Sequence, residues 1–209
     1  MKPQDRPSER ADIAALIERF DRPGPRYTSY PTAVDFQDGL TEALYKQHLR
    51  RANEQPDEPL SLYIHLPFCE ARCLFCACNV IISPDKGKSL SYLDLLEREV
   101  ELVCAELPDR RKVSQLHLGG GTPTYQSPDQ LRRLLRSLEA HFEFLPGAEK
   151  AVEVDPRVTT REHLEALAEF GFNRISLGVQ DLTDEVQQAI HRVQSEEMTH
   201  NLVRVAREL

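Results

Sequence analysis

Apolar residues recur along this chain with two different periods, and the alternation between them predicts its architecture. Ile13, Leu16, Ile17 and Phe20 repeat at helical spacing, which predicts a short helix from Asp12. Residues 21–33 (DRPGPRYTSYPTA) follow, and their three prolines and one glycine forbid regular structure over most of that length. A second helix is expected from Thr41, stopped by the loop at 53–59. From there the pattern is regular. Residues 62–66, 113–118, 150–154 and 173–179 are predicted strands. A helix is predicted over 90–107, with Leu93, Leu96, Val100 and Val103 in phase. The next is opened by Ser127 as N-cap with Pro128 at the first helical position, and carries Leu131, Leu134, Leu135, Leu138 and Phe142. A third has Thr159 and Glu162 spaced as a capping box and ends near Gly171. Two helical stretches fill the chain from Thr183 onward.

Four successive βα units predict a parallel sheet with right-handed crossovers, either an open doubly wound sheet or part of a (β/α) barrel. The closing residues NLVRVAREL form a helical pattern with no stop signal, so Leu209 is expected to interrupt a longer fold. In both fold types chemistry sits at the carboxyl ends of the strands. The first strand is followed by Cys69, Cys73, Cys76 and Cys78, and the second by Gly119-Gly120-Gly121-Thr122-Pro123-Thr124. Glu153 and then Asp155-Pro156-Arg157 close the third, and Gln180-Asp181 follow the fourth. A random scatter would send about half of these segments to the other end. Their shared rim predicts an active site.

Composition narrows the classes. Length 209 fits about one domain, and 40% apolar residues suffice for a core. Lys and Arg number 26 against 34 Asp and Glu, a net charge of −8, which argues against general affinity for nucleic acid or anionic lipid. No run approaches the ~18 apolar residues of a membrane helix. The N-terminus has no apolar leader segment, so a cytoplasmic location is expected. There, five cysteines point to metal binding or chemistry before disulfides.

Four of those cysteines fall within one ten-residue loop. Zinc sites usually take two pairs set well apart, whereas iron–sulfur clusters take several thiolates from one short loop. The x3-then-x2 spacing suits three corners of a cubane with one iron left open. Cys78 is read as either a packing residue or a reserve thiol. Cys104, in phase with Val100 and Leu107, is read as a small core hydrophobe. The triple glycine is either a tight strand-to-helix turn or a close-approach surface for a charged ligand. It is not a Walker loop, because no Gly-Lys-Ser/Thr follows. Glu153, among apolar neighbours, needs a cationic partner, either a ligand ammonium or a protein arginine. Gln180 as a turn residue and Arg192 as a solvated helix charge are the plain alternatives to ligand contacts. His65 and His117 are read as packed barrel residues.

With Cys69, Cys73 and Cys76 after a first strand, the chain resembles the radical S-adenosylmethionine (SAM) superfamily. Residues 24–33 (GPRYTSYPTA), the Cys76-x-Cys78 pair and residues 152–157 (VEVDPR) are similar to the oxygen-independent coproporphyrinogen III oxidase family. The resemblance implies a partial radical SAM (β/α) barrel of about four βα units over 59–209, after an irregular extension at 1–58 with helices and a Pro-rich wrap. It implies that Cys69, Cys73 and Cys76 hold a [4Fe-4S] cluster whose open iron is chelated by SAM. Tyr63, Phe75, Gly120, Gly121, Thr122, Glu153, Gln180 and Arg192 match cofactor-contacting positions of the family. Arg26, Tyr27 and Tyr30 either line a tetrapyrrole or form a structural wrap. The implied reaction is oxidative decarboxylation of coproporphyrinogen III propionates to vinyl groups by a 5′-deoxyadenosyl radical, giving protoporphyrinogen IX for haem biosynthesis. Flavodoxin or ferredoxin is the implied electron donor, and a monomer is expected. A barrel stopped after four strands is expected to bind the cluster with turnover lost or very weak. Two rival readings are a radical-SAM-like haem chaperone and a zinc-stabilised structural module.

Overall fold

The computed structural model describes residues 7–21 and 35–209. They belong to two compact units, Met1–Thr41 and Glu42–Leu209. The first contains α1 (Pro7–Phe20), which starts ahead of the expected Asp12 because nothing between Pro7 and Asp12 breaks a helix and proline suits a first turn. The motif at 24–33, with Arg26, Tyr27 and Tyr30, lies outside the described residues.

The second unit opens with α2 (Glu42–Asn53). Then come β1 (Leu60–Leu66), two short strands β2 (Phe68–Cys69) and β3 (Ile81–Ile82), and α3 (Gly87–Glu106). They are followed by β4 (Lys112–Gly120), a 3-10 turn (Pro123–Tyr125), α4 (Pro128–His141), β5 (Glu143–Val154) and α5 (Arg161–Glu169). β6 (Arg174–Leu177), α6 (Asp184–Ala189) and α7 (Glu196–Glu208) complete it. Asn53 ties α2 to the β4 approach, its side-chain oxygen accepting from Asp109 N and Arg110 N at 2.9 and 3.1 Å.

The main sheet runs β1-β4-β5-β6, every pair parallel. Each new strand lies beside the last, so the order never reverses. A doubly wound sheet needs such a reversal, and the winding here is therefore of the barrel type. Alternate strand residues Ile64, Leu66, Val113, Leu116, Leu118, Val152 and Val154 pack with Leu93, Leu96, Leu131, Leu135, Leu164 and Leu202 of the helices into one core. Cys104 is a member of that core, as its helical phase predicts. The opposite positions, Tyr63, His65, His117 and Glu153, face away from the helices. They stay half-buried or exposed.

Three details depart from the sequence expectation. β5 pairs at Lys112↔Glu143 and Val113↔Phe144, then loops out through Pro146 and Gly147 before pairing resumes at Gln115↔Glu149. Gly147 has φ 76°, a left-handed conformation that glycine adopts readily. Only the second half of β5 therefore carried strand periodicity. The cap of α5 is Thr160 with His163, one residue beyond Thr159 and Glu162; the His163 ring accepts from Thr160 N at 3.1 Å. The β2–β3 pair is two residues long on each side, too short to leave a pattern.

Candidate cofactor site

The cysteine loop is clamped between two backbone ladders. Gly121 N donates to Leu66 O and Thr122 N to Phe68 O, both at 2.9 Å. On the other side Ile81 N donates to Pro67 O at 2.8 Å and Ser83 N to Cys69 O at 3.1 Å. Cys73 and Cys76 close a turn through Cys76 N to Cys73 O at 3.1 Å, and Leu74 N reaches Ile190 O at 3.0 Å. The loop surrounds an open cavity of about 280 Å³. Cys69, Cys73, Cys76 and Cys78 line it from the loop, and Gly120, Gly121 and Thr122 from the end of β4. Glu153, Asp155 and Arg157 line it from the end of β5, and Gln180 and Arg192 from beyond β6.

The strand-end segments that the sequence singled out thus meet in one place. Phe75 also lines the cavity. Tyr63 does not. Its ring is stacked 5.8 Å from His117 and fills the space that a side chain at Gly119 would need. Burial, with the nearby Glu153 charge, pushes its phenol above its ordinary pKa.

Glu153 is not buried as its apolar neighbours suggested, since 46% of its side chain is exposed. Val152 and Val154 point into the core, and period two turns Glu153 toward the cavity. Its oxygens take a hydrogen bond from Gly120 N at 3.3 Å and meet His117 Nε2 at 3.4 Å. No arginine is among these partners. His65 and His117 were expected as packing residues, and both belong instead to a polar network. His65 Nε2 donates to Asn79 O at 2.9 Å, which leaves Nδ1 to accept from the Tyr63 hydroxyl at 3.1 Å.

Arg192 was weighed as a solvated helix charge, but it is 8% exposed. It follows α6, where His191 takes φ 53°, and donates from Nη1 to Asp155 Oδ2 at 3.0 Å. Its buried Nε has no protein partner. Gln180 also has a positive φ, 65°, in a region a non-glycine residue occupies at some cost. Its amide lies over the Gly178 backbone, where a side chain at 178 would collide with it.

The sequence reading placed Asp155 and Arg157 in a rim segment of the predicted active site but gave neither residue a role of its own. Burial alone would raise the Asp155 carboxyl; its hydrogen bonds with Arg157 and the charges of both arginines outweigh that and hold it below the usual carboxylate range. Burial pushes the Cys69 thiol up, and only the Thr122 hydroxyl at 3.4 Å opposes this.

The donor set fits a cluster and an amino-acid-bearing cofactor. Among the described residues no three His, Cys, Asp or Glu side chains converge as a single ion requires; the thiols ring the cavity instead. Gly121 leaves no room for a side chain, since a Cβ there would stand 2.5 Å from Pro67 O. The unpaired Arg192 Nε suits a ligand carboxylate, and the Glu153 carboxylate suits an ammonium.

A parallel βα sheet with three thiols at the end of its first strand defines a class. The chain belongs to the radical SAM superfamily, whose family model matches residues 63–209. Membership implies a [4Fe-4S] cluster and SAM as cofactors. Its relatives narrow this further. It is 47% identical to the oxygen-independent coproporphyrinogen III oxidase of Pseudomonas aeruginosa over 94% of this chain and 43% of that protein. It is 46% identical to the enzyme of the same name from Mannheimia haemolytica, over 68% of this chain and 94% of that protein. The solved coproporphyrinogen III oxidase of Escherichia coli, described as a radical SAM enzyme, superposes with a TM-score of 0.82 at 44% identity. That match covers 93% of this chain and 42% of that one. Within the superfamily these relatives place the chain in the oxygen-independent coproporphyrinogen III oxidase family. It spans less than half the length of the Pseudomonas and Escherichia proteins.

Proposed function

We propose that this chain carries the cofactor-binding part of an oxygen-independent coproporphyrinogen III oxidase, converting two propionates to vinyl groups in haem biosynthesis. The observation that carries the reading is the meeting of Cys69, Cys73 and Cys76 with Arg192 and Glu153 around one cavity, in a chain 47% identical to such an enzyme. When bound, the cluster and SAM would supply one-electron radical chemistry for removing hydrogen from the propionate β-carbon, with carbon dioxide and one further electron leaving as the vinyl group forms.

The chain's own residues bind, orient and exclude. Cys69, Cys73 and Cys76 hold the cluster. Glu153 receives the SAM ammonium, its other contacts to Gly120 N and His117 keeping the carboxylate aimed at the cavity. Arg192 presents its unpaired Nε to the SAM carboxylate. Gly120 and Gly121 let the cofactor lie against bare backbone, and Thr122 lines the cavity beside them. Phe75 and Gln180 close the sides, and Tyr63 fills the space beside Gly119. Coproporphyrinogen III is the substrate, a flavodoxin or ferredoxin the electron donor, and the cytoplasm the location. No helix among the described residues is long and apolar enough to cross a membrane. We propose residues 1–58 as an extension, of which α2 shares the compact unit Glu42–Leu209, and 59–209 as the core, with the chain acting as a monomer.

The test is anaerobic reconstitution with iron and sulfide, reduction, and electron paramagnetic resonance (EPR) with and without SAM. A cubane signal that changes on adding SAM is expected. A signal indifferent to SAM overturns the cofactor assignment. Coproporphyrinogen-dependent release of 5′-deoxyadenosine then tests the substrate, and haem binding without any turnover in the presence of SAM would favour a carrier instead.

A further inference from the structure

Asp155-Pro156-Arg157 has no part in the cofactor contacts above, yet its geometry is specific. Asp155 is 5% exposed at the end of β5. Its main-chain oxygen accepts from Val158 N at 3.1 Å, Thr159 N at 3.0 Å and Thr159 Oγ1 at 2.7 Å. Its carboxylate grips two guanidinium groups. Arg157 donates from its main-chain N and Nε to Oδ1, each at 3.0 Å, and from Nη2 to Oδ2 at 2.6 Å. Arg192 donates from Nη1 to Oδ2 at 3.0 Å. Both arginines, so fixed, approach the same sulfur. Arg157 Nη2 lies 3.5 Å and Arg192 Nη1 3.7 Å from Cys73 Sγ, and Cys73 is itself buried. Cys69 is met instead by the neutral Thr122 hydroxyl.

We infer that Arg157, held by Asp155, is a positioning residue that sets the reduction potential of a cluster ligated through Cys73, by donating a charge-assisted hydrogen bond to that sulfur. The inference rests on Cys69, Cys73 and Cys76 being the cluster ligands. Reduction adds one negative charge beside Cys73, and a guanidinium fixed there favours the more negative state. Hydrogen bonds to ligating sulfurs and local net charge are the protein's means of setting such potentials. Arg157 is partly buried and Cys73 is buried, which limits screening between them. Arg157 suits this task better than Arg192. Its Nε and Nη2 are engaged by Asp155 and Cys73, whereas Arg192 keeps an unpaired Nε.

The experiment compares Arg157→Gln and Arg157→Lys with the unaltered chain. All three are reconstituted anaerobically, their iron and sulfide are counted, and the cluster's one-electron midpoint is measured by EPR-monitored dithionite titration without SAM. Arg157→Gln is expected to fill with iron normally and to lose about tenfold in the reduction equilibrium, about 59 mV downward. Arg157→Lys keeps the positive charge and is expected to recover about half of that shift. Midpoints unchanged in both variants overturn the inference. So does failure of both to take up iron, which would make Arg157 a support of the loop and nothing more. If the unaltered chain forms no cubane, the ligand assignment falls as well; if it forms one and the variants do not shift, only the role of Arg157 falls.

Discussion

Replacing Gly121 by alanine tests how tightly the cysteine loop is tied to the sheet. The added Cβ would stand 2.5 Å from Pro67 O, 2.7 Å from Pro67 C and 2.8 Å from Phe68 O. All three are backbone atoms just ahead of Cys69, so no side chain can rotate away to relieve the collision. The end of β4 must part from the loop, straining the bonds from Gly121 N to Leu66 O and from Thr122 N to Phe68 O. Two such bonds are worth about 1 kcal/mol each, and overpacking costs about 1–3 kcal/mol. These contributions overlap, so the expected loss is about 3 kcal/mol. For a chain of this length that lowers the melting temperature by about 6–12 °C. Gly147→Ala is the control. Nothing lies within 4 Å of its Cβ position, and only φ 76° opposes the substitution, at about 1 kcal/mol. Circular dichroism melts and iron content after reconstitution are the readouts. Gly121→Ala is expected to lose both stability and iron uptake, and Gly147→Ala to lose about 2–4 °C while binding iron normally. Equal melting temperatures with full iron uptake in both would refute the argument that the glycine holds the loop in place.

Arg192→Ala removes one partner of the buried Asp155 but leaves Arg157. The expected cost is about 2 kcal/mol, below the 3–5 kcal/mol of a fully broken buried pair, with the cubane EPR signal kept and its response to SAM lost. Asp155 titrates below its ordinary value of 3.8 in the folded chain. Its contribution to stability is therefore complete above that value and is lost as the pH falls through the depressed folded pKa. Urea midpoints should decline with acidification in that range, and Asp155→Asn should flatten the decline while lowering stability at neutral pH. Gln126 is fully buried, and neither its Nε2 nor its Oε1 has a partner. Gln126→Leu is thus expected to leave the urea midpoint unchanged or raise stability by about 1 kcal/mol; a loss of that size would mean that the amide has a partner in solution.

What was legible in the sequence follows from range. The amphipathic helices α3, α4 and α7 and the parallel strands, apart from the first half of β5, depend on local periodicity, and they appear close to where that pattern puts them. The shared rim was legible for a related reason. In a parallel sheet every strand ends on the same side, so Cys69, Gly121, Glu153 and Gln180 converge without any knowledge of register. The misreadings at the site depend on partners distant in sequence. From its neighbours alone Arg192 could equally be a solvated helix charge, because its partner Asp155 lies 37 residues away. His117 looked like packing because its contact with Glu153 needs the β4–β5 register, which the loop-out at Pro146 and Gly147 hides. These misses share a physical sense. A barrel built only for stability fills its inner layers with branched aliphatic side chains. Here the inner positions are Tyr63, His65, His117 and Glu153, joined by hydrogen bonds and ring stacking and left partly open. Such a face gains little by hydrophobic burial, and its half-exposed Glu153 carboxylate, with the unpaired Arg192 Nε at the same cavity, suits a ligand that brings both an ammonium and a carboxylate.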